Sequence, residues 1–355
     1  AYSDHGKNQI FFEAQTMICM LLGMEFTAQT CHDGAQAAAT AVSMANRITG
    51  RKKILLPANM NPQILSTVKN YCYSVQEEQR LDLVMVNYDS KTGMVDLEDL
   101  KNKLDDTVAG VYLENPNYLG QLEADAPQIG QLAKAAGAEF IVNANLLSLG
   151  VIEAPANYGA TIAICDLHDL GCHLSSGGSQ SGIIATPDDM EHMSETKDLA
   201  FGMVDTIKEG EYGFTLNLYE RTHYAVREKG KEFTGTQSNY WFNYAATYLT
   251  LLGPEGMEEV ADTIMTNALY GAQKIGELPG VSIRFEGPFF EEFVVDFSES
   301  GKTVREINSA LLDRQIFGGL DLSECFPELG QSALYCITEV ITKDEIDELV
   351  DALRE

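Results

Sequence analysis

The sequence predicts an α/β chain: a mostly parallel sheet covered by helices on both faces, followed by a smaller α+β unit. Three observations carry this. Short β-branched runs alternate with longer helical ones through the first half of the chain, the βαβα order of a parallel sheet. The strand runs KKILLP, AGVYLENP and AEFIVNA are almost continuously apolar, as strands buried on two faces must be. Beyond residue 280 the alternation gives way to VSIRFEG, EEFVVDF and SALYCITE, three strand-like runs with few helices among them.

The elements follow in order. FFEAQTMICMLLGM (residues 11–24) places Phe12, Gln15, Thr16, Cys19 and Leu22 on one helical face, and Gly23 ends it. His32-Asp33-Gly34 reads as the N-cap of the Ala-rich helix AQAAATAVSMANRI. Next come the strand KKILLP, a helix near 62–73, the strand LDLVMVNY and a helix near 97–104. AGVYLENP, a helix at 126–136, AEFIVNA, a strand at 160–165 and the strand SGIIAT complete the large unit's sheet. Helices at about 236–252 and 254–277 lead into the second unit, whose own helices span 303–313 and 342–354. The expected division is a large domain over 1–252 and a small α+β domain over 253–355.

Composition narrows the partners. Twenty-four Lys+Arg against 53 Asp+Glu give a formal charge of −29, which repels phosphate backbones and anionic headgroups and argues against nucleic acid or membrane. No apolar run reaches membrane-span length and no signal peptide is visible; the chain starts at Ala1 rather than Met, as if trimmed. Seven scattered cysteines without a CxxC pair suit reduced thiols and a cytoplasmic setting.

In open α/β sheets ligands sit beyond the strands' carboxyl ends. The loops of interest are therefore 31–36, 58–62, 114–120, 143–148 and 166–178. At the first, Asp33, Gly34 and Ala35 open a helix whose free N–H groups could take a phosphate; a tight turn capped by Asp33 is the other reading, and both stand. The last, DLHDLGCHLSSGG, gathers Asp166, His168, Asp169, Cys172 and His173. With Cys165 these form C-x2-H-x3-C-H, but zinc needs four converging ligands and Cys165 ends an apolar strand. Buried Cys165 and loop-lining His168 are the preferred reading. Arg221, His223, Arg227, Lys229 and Lys231 form a basic cluster in an acidic chain, read as a subunit or anion contact over a solvated helix with a Glu228–Lys231 pair. Asn115-Pro116 and Gly120 signal a turn. Tyr240, Trp241, Tyr244 and Tyr248, at helical spacing, are read as core or interface packing.

Several stretches carry a resemblance. FEAQTMICMLLGMEFTAQTCHDGAQAAATAVSMANR, LENPNYLGQLE, LLSLGVIEAPANYGATIAI, GFTLNLYERTHYAVREK, YLTLLGPEGMEEVA, FFEEFVVDF, GGLDLSECFPELGQSALYCITE and DEIDELV run in the order found in glycine dehydrogenase (decarboxylating). The chain resembles this P-protein of the glycine cleavage system, and within it subunit 1 of the two-subunit form. The resemblance implies the aminotransferase-like fold, pyridoxal phosphate (PLP) fold type I. Members carry a longer segment, with a Tyr-Thr-Pro-Tyr-Gln stretch, ahead of the QTM helix; few residues precede it here, which leaves the oligomeric state open.

PLP chemistry needs a Schiff-base lysine and a carboxylate on the pyridine nitrogen. In the family's catalytic half the lysine follows Leu-His; here Leu167-His168 is followed by Asp169. Val142, Asn143 and Asn145 occupy the carboxylate's strand, and Asn61-Pro62 replaces a His-Pro pair. Subunit 1 members have Gln and Pro where this chain has His168 and Asp169. The resemblance thus implies a chain with no catalytic residue and no covalently bound cofactor of its own, where Asp33, Gly34, Ala35, Asn145, His168 and Asp169 line a vestigial pocket. PLP is expected on a partner, glycine dehydrogenase subunit 2, with a lipoyl carrier H-protein receiving the aminomethyl group. The alternative is an inactive paralogue that binds a small molecule or forms only a homodimer.

Overall fold

The computed structural model describes residues 6–28, 30–73, 76–172, 181–196, 200–217, 226–227, 230–232 and 237–354. Of the residues singled out above, His173, Arg221, His223, Glu228 and Lys229 lie outside these.

Seven strands form the main sheet: β1 (Phe26–Thr27), β2 (Lys53–Pro57), β3 (Asp82–Val86), β4 (Val108–Asn115), β5 (Glu139–Ala144), β6 (Ile162–Asp166) and β7 (Gly182–Thr186), in the order β1-β7-β6-β5-β4-β2-β3. Strands β3, β2, β4, β5 and β6 run parallel. Strand β7 returns antiparallel to β6, and β1 pairs antiparallel with β7. Every residue of β4 is buried, because successive side chains feed opposite cores. Leu55, Val111, Leu113, Phe140 and Val142 pack under α1 (Lys7–Leu22) and one face of α5 (Ala126–Ala136). Ile54, Leu56, Ala109, Tyr112 and Ile141 pack under α2 (Gly34–Thr49) and α3 (Pro62–Cys72). Each such apolar side chain contributes roughly 1.5–3 kcal/mol of burial. Helix α4 (Leu97–Lys103) follows β3 and is capped by Asp96.

Beyond β7, α6 (Met190–Met193) leads to β8 (Ala200–Asp205) and β9 (Tyr212–Asn217), which pair with each other as a two-stranded antiparallel hairpin. The long α7 (Phe242–Gly276) is kinked at Gly253, with φ 63° and ψ −177°, just before Pro254. Its Met257, Ala261 and Ile264 pack into the first core. Its Ala268, Ala272 and Ile275 join Phe293, Val295, Val304 and Ile346 in a separate core. That core belongs to a four-stranded antiparallel sheet, order β10-β11-β13-β12, from β10 (Ser282–Ile283), β11 (Glu292–Asp296), β12 (Leu320–Asp321) and β13 (Ser332–Cys336). Helices α8 (Val304–Asp313) and α9 (Lys343–Arg354) cover it.

Gly213–Asn217, at the start of the stretch whose weaker reading was a solvated helix, belong to β9. Lys231 pairs with Glu195 at 2.6 Å. Of the aromatic residues read as core or interface, Tyr240 and Tyr244 are exposed in this chain, and the Trp241 and Tyr244 rings lie 5.1 Å apart.

Candidate functional site at the carboxyl edge of the sheet

The parallel strands deliver their last residues to one edge, where two helices begin. Strand β6 ends in Asp166, whose carboxylate accepts the Gly34 N–H at 2.7 Å and the His168 N–H at 2.8 Å. Glycine at the head of α2 permits this approach, since a Cβ there would sit 3.3 Å from Asp166 Oδ2. Asp33 caps the same helix by accepting the Gln36 N–H at 2.7 Å, and Gln36 accepts the His32 N–H at 2.8 Å. The second helix is treated alike. Glu114, buried near the end of β4, accepts the Asn61 N–H at 2.9 Å at the head of α3 and the Tyr112 hydroxyl at 3.2 Å, with Asn143 as a further partner. Helix N-termini carry partial positive charge and unsatisfied N–H groups. At this edge both are answered by carboxylates of the chain itself.

The rest of the edge is acidic. Asp169 is pushed up to about 7 by burial, then by Asp166 and Glu339. Glu291 rises to about 8 and Glu292 to about 7, burial leading in both, with Asp169 the next cause. Burial likewise lifts Glu114 to about 7. Asn145 donates to Glu291 at 2.8 Å and accepts the Ser148 N–H at 3.0 Å. Carboxylates packed within electrostatic reach cannot all ionise near neutrality.

The structure brings Gly34 and His168 together on Asp166, sets Asp33 beside them, and joins Asn145 to the acidic group around Asp169. Among the described residues the buried His168 Nδ1 has no hydrogen-bond partner. Sequence reasoning noted Asp166 but gave it no role, and it missed Glu114, Glu291 and Glu292. The available signal was an acid at or near the tip of an apolar strand run. Cys165 is fully buried, its thiol held well above its usual range by burial. Among the described residues no three His, Cys, Asp or Glu are placed to hold a metal ion.

The basic cluster resolves differently. Lys231 and Arg47 close on Glu195 at 2.6 Å each, and Arg47 also grips Glu232 at 3.0 Å. Arg227 is exposed with φ 51°. The 115–121 loop serves the fold: Asn117 donates to the buried Glu123 at 2.8 Å, and Gly120 presses against the Glu292 carbonyl.

A phosphate-bearing aldehyde cofactor needs a nearby amine, donors for its phosphate and an acid for its ring nitrogen. Position 169 offers a carboxyl among carboxyls, and the Gly34 N–H is already engaged. Among the described residues, those at this edge do not fit PLP as a Schiff-base cofactor.

The fold and edge define a class first: the aminotransferase-like, PLP fold type I architecture. A NifS-like protein shares it at a TM-score of 0.71 and 15% identity, covering 100% of this chain and 89% of that one. The particular family follows from closer likenesses. The family described as Glycine cleavage system P-protein matches residues 3–353, and the chain belongs to it. A probable glycine dehydrogenase (decarboxylating) subunit 1 of Staphylothermus marinus is 36% identical over 346 residues, 97% of this chain and 73% of that protein. One of Chlorobium luteolum is 38% identical over 354 residues, 99% and 76%. The crystal structure of a glycine decarboxylase (P-protein) of the glycine cleavage system, in inhibitor-bound form, superposes at a TM-score of 0.90 with 30% identity, covering 100% of this chain and 78% of that one. Among the described residues no helix is long and apolar enough to cross a membrane.

Proposed function

We propose that this chain is the non-Schiff-base subunit of a two-subunit glycine decarboxylase, acting in the cytoplasm with a lysine-bearing subunit 2. The observation that carries this reading is Asp169. It stands after Leu167-His168, where the catalytic half has its lysine, and burial, then Asp166 and Glu339, push its carboxyl up to about 7. PLP, held by the partner, supplies the electron sink for loss of glycine's carboxylate, and a lipoyl carrier H-protein takes the aminomethyl group. This chain contributes scaffold and pocket wall. Asp33, Gly34, Ala35, Asn145, His168 and Asp169 are the remnant of a cofactor pocket.

Co-expression with a subunit 2 chain, followed by a glycine–bicarbonate exchange assay with H-protein, tests the reading. The pair is expected to co-purify and exchange, while either chain alone does not. Absence of both complex and exchange sinks it. A borohydride-reducible PLP adduct on a lysine of this chain would overturn the placement of the cofactor.

A further inference from the structure

We infer that Asp166 is a built-in anion: its carboxylate fills the head of α2 and keeps phosphate-bearing ligands out of this chain's cleft. The inference rests on the reading that the cofactor belongs to the partner, and supplies the physical means of its exclusion here.

Four observations converge. The Asp166 carboxylate spans Gly34 N–H at 2.7 Å and His168 N–H at 2.8 Å, charge-assisted hydrogen bonds of the kind a phosphate oxygen would make there. The Gly34 Cα leaves just enough room for it, 3.3 Å from an ideal Cβ to Oδ2. The other side is walled by backbone: Cys31 N–H donates to the Gly182 carbonyl at 2.7 Å, and a Cβ on Gly182 would fall 2.0 Å from the Asp33 carbonyl oxygen. Glu114 repeats the device at the head of α3 through Asn61 N–H at 2.9 Å. A helix terminus carries about half an elementary charge. Asp33 and Asp166 both seat carboxylate oxygens at this terminus, so an incoming phosphate finds its place already taken.

Exclusion by Asp166 also separates this chain from one that has merely lost its lysine. Restoring an amine at position 169 would not restore phosphate retention while Asp166 keeps its carboxylate.

The test is inorganic phosphate titrated into the full chain by calorimetry and by 31P line broadening, at pH 7.5 and low ionic strength. Wild type is expected to show no saturable binding. Asp166→Ala should gain phosphate affinity by about tenfold or more over any residual wild-type binding, and its thermal midpoint should rise with phosphate. Glu258→Gln, on an exposed face of α7, changes net charge equally and should gain nothing. Asp166→Asn keeps the shape without the charge; it should gain affinity too and decides alone if Asp166→Ala does not fold. Saturable wild-type binding equal to the variants', equal gain in the Glu258 control, or folded variants without gain overturns the inference. None of these outcomes depends on subunit 2, so failure here and failure of the exchange assay are read separately.

Discussion

His192 shows how much one side chain can be set by its neighbours. Its ring closes on Glu139 at 3.1 Å and on Asp189 at 2.9 Å, and its pKa rises to about 9, the Glu139 hydrogen bond being the largest cause and Asp189 adding to it. A histidine raised above its unfolded value of about 6.5 lends stability that is full below that value and lost as pH passes the folded one. Thermal unfolding of His192→Gln against wild type should therefore show a difference on the order of 3 kcal/mol at pH 6 that vanishes by about pH 10. A difference independent of pH would refute the charged-histidine account. Gly120 tests a different constraint. It sits at φ 85°, and a Cβ there would lie 1.9 Å from the Glu292 carbonyl oxygen. Gly120→Ala should destabilise by roughly 2 kcal/mol or more, since backbone must move as well as twist; an unchanged urea midpoint would show that the seam with β11 is slack. Residue roles such as these were hardly legible beforehand. The sequence marks Gly120 as a turn and Asp169 as a missing lysine, but Glu291 and Glu292 acquire meaning only when the fold carries them to Asp169 from more than a hundred residues away.

Elements were the most legible scale, because period and punctuation are local. Pro62 and Asn61 start α3, Gly137 stops α5 in the left-handed region, and Asp33 caps α2 as its position suggests. Gly253-Pro254 reads as a break between two helices, and the structure has it: Gly253 leaves the helical region and two helical runs meet there at the kink of α7, with buried positions on both sides. Elsewhere the local signal was too weak. The short pairing strands β1 and β12, two residues each, carry too little pattern to be seen. The hairpin β8–β9 was missed because its burial does not alternate: Ala200 and Phe201 are buried, while Met203, Val204 and Asp205 are exposed in succession. The kink itself is testable. Gly253 has open space around its Cα but a backbone region that almost only glycine occupies. Gly253→Ala should then cost about 1–3 kcal/mol through strain alone. Thermal unfolding measures it. A null result would mean that the kink relaxes into regular helix when a side chain favours it.

At the scale of the molecule, the strong negative charge and the raised carboxyls push in one direction. Glu114, Glu123, Asp169 and Glu292 are lifted to about 7 and Glu291 to about 8, burial first in every case. A carboxyl whose folded pKa exceeds its unfolded value of about 4 binds more protons folded than unfolded between the two, so stability falls as pH rises through that window. His192 acts with the same sign further up the scale. Opposing them, Asp105 and Asp189 are held below their usual range, by Lys53 and by the His192 backbone N–H first, and lose their contribution only in acid. The isolated chain should therefore be most stable near pH 5 and weaken steadily toward pH 8. A net charge of −29 adds self-repulsion, which salt screens over about 10 Å at 0.1 M. Raising salt from low ionic strength to 0.3 M should then lift the thermal midpoint more at pH 8 than at pH 5, where the raised carboxyls are already protonated. A salt effect equal at both values would place the repulsion on the general surface; one confined to pH 8 and abolished by Asp169→Asn with Glu291→Gln would place it at the carboxyl edge of the sheet.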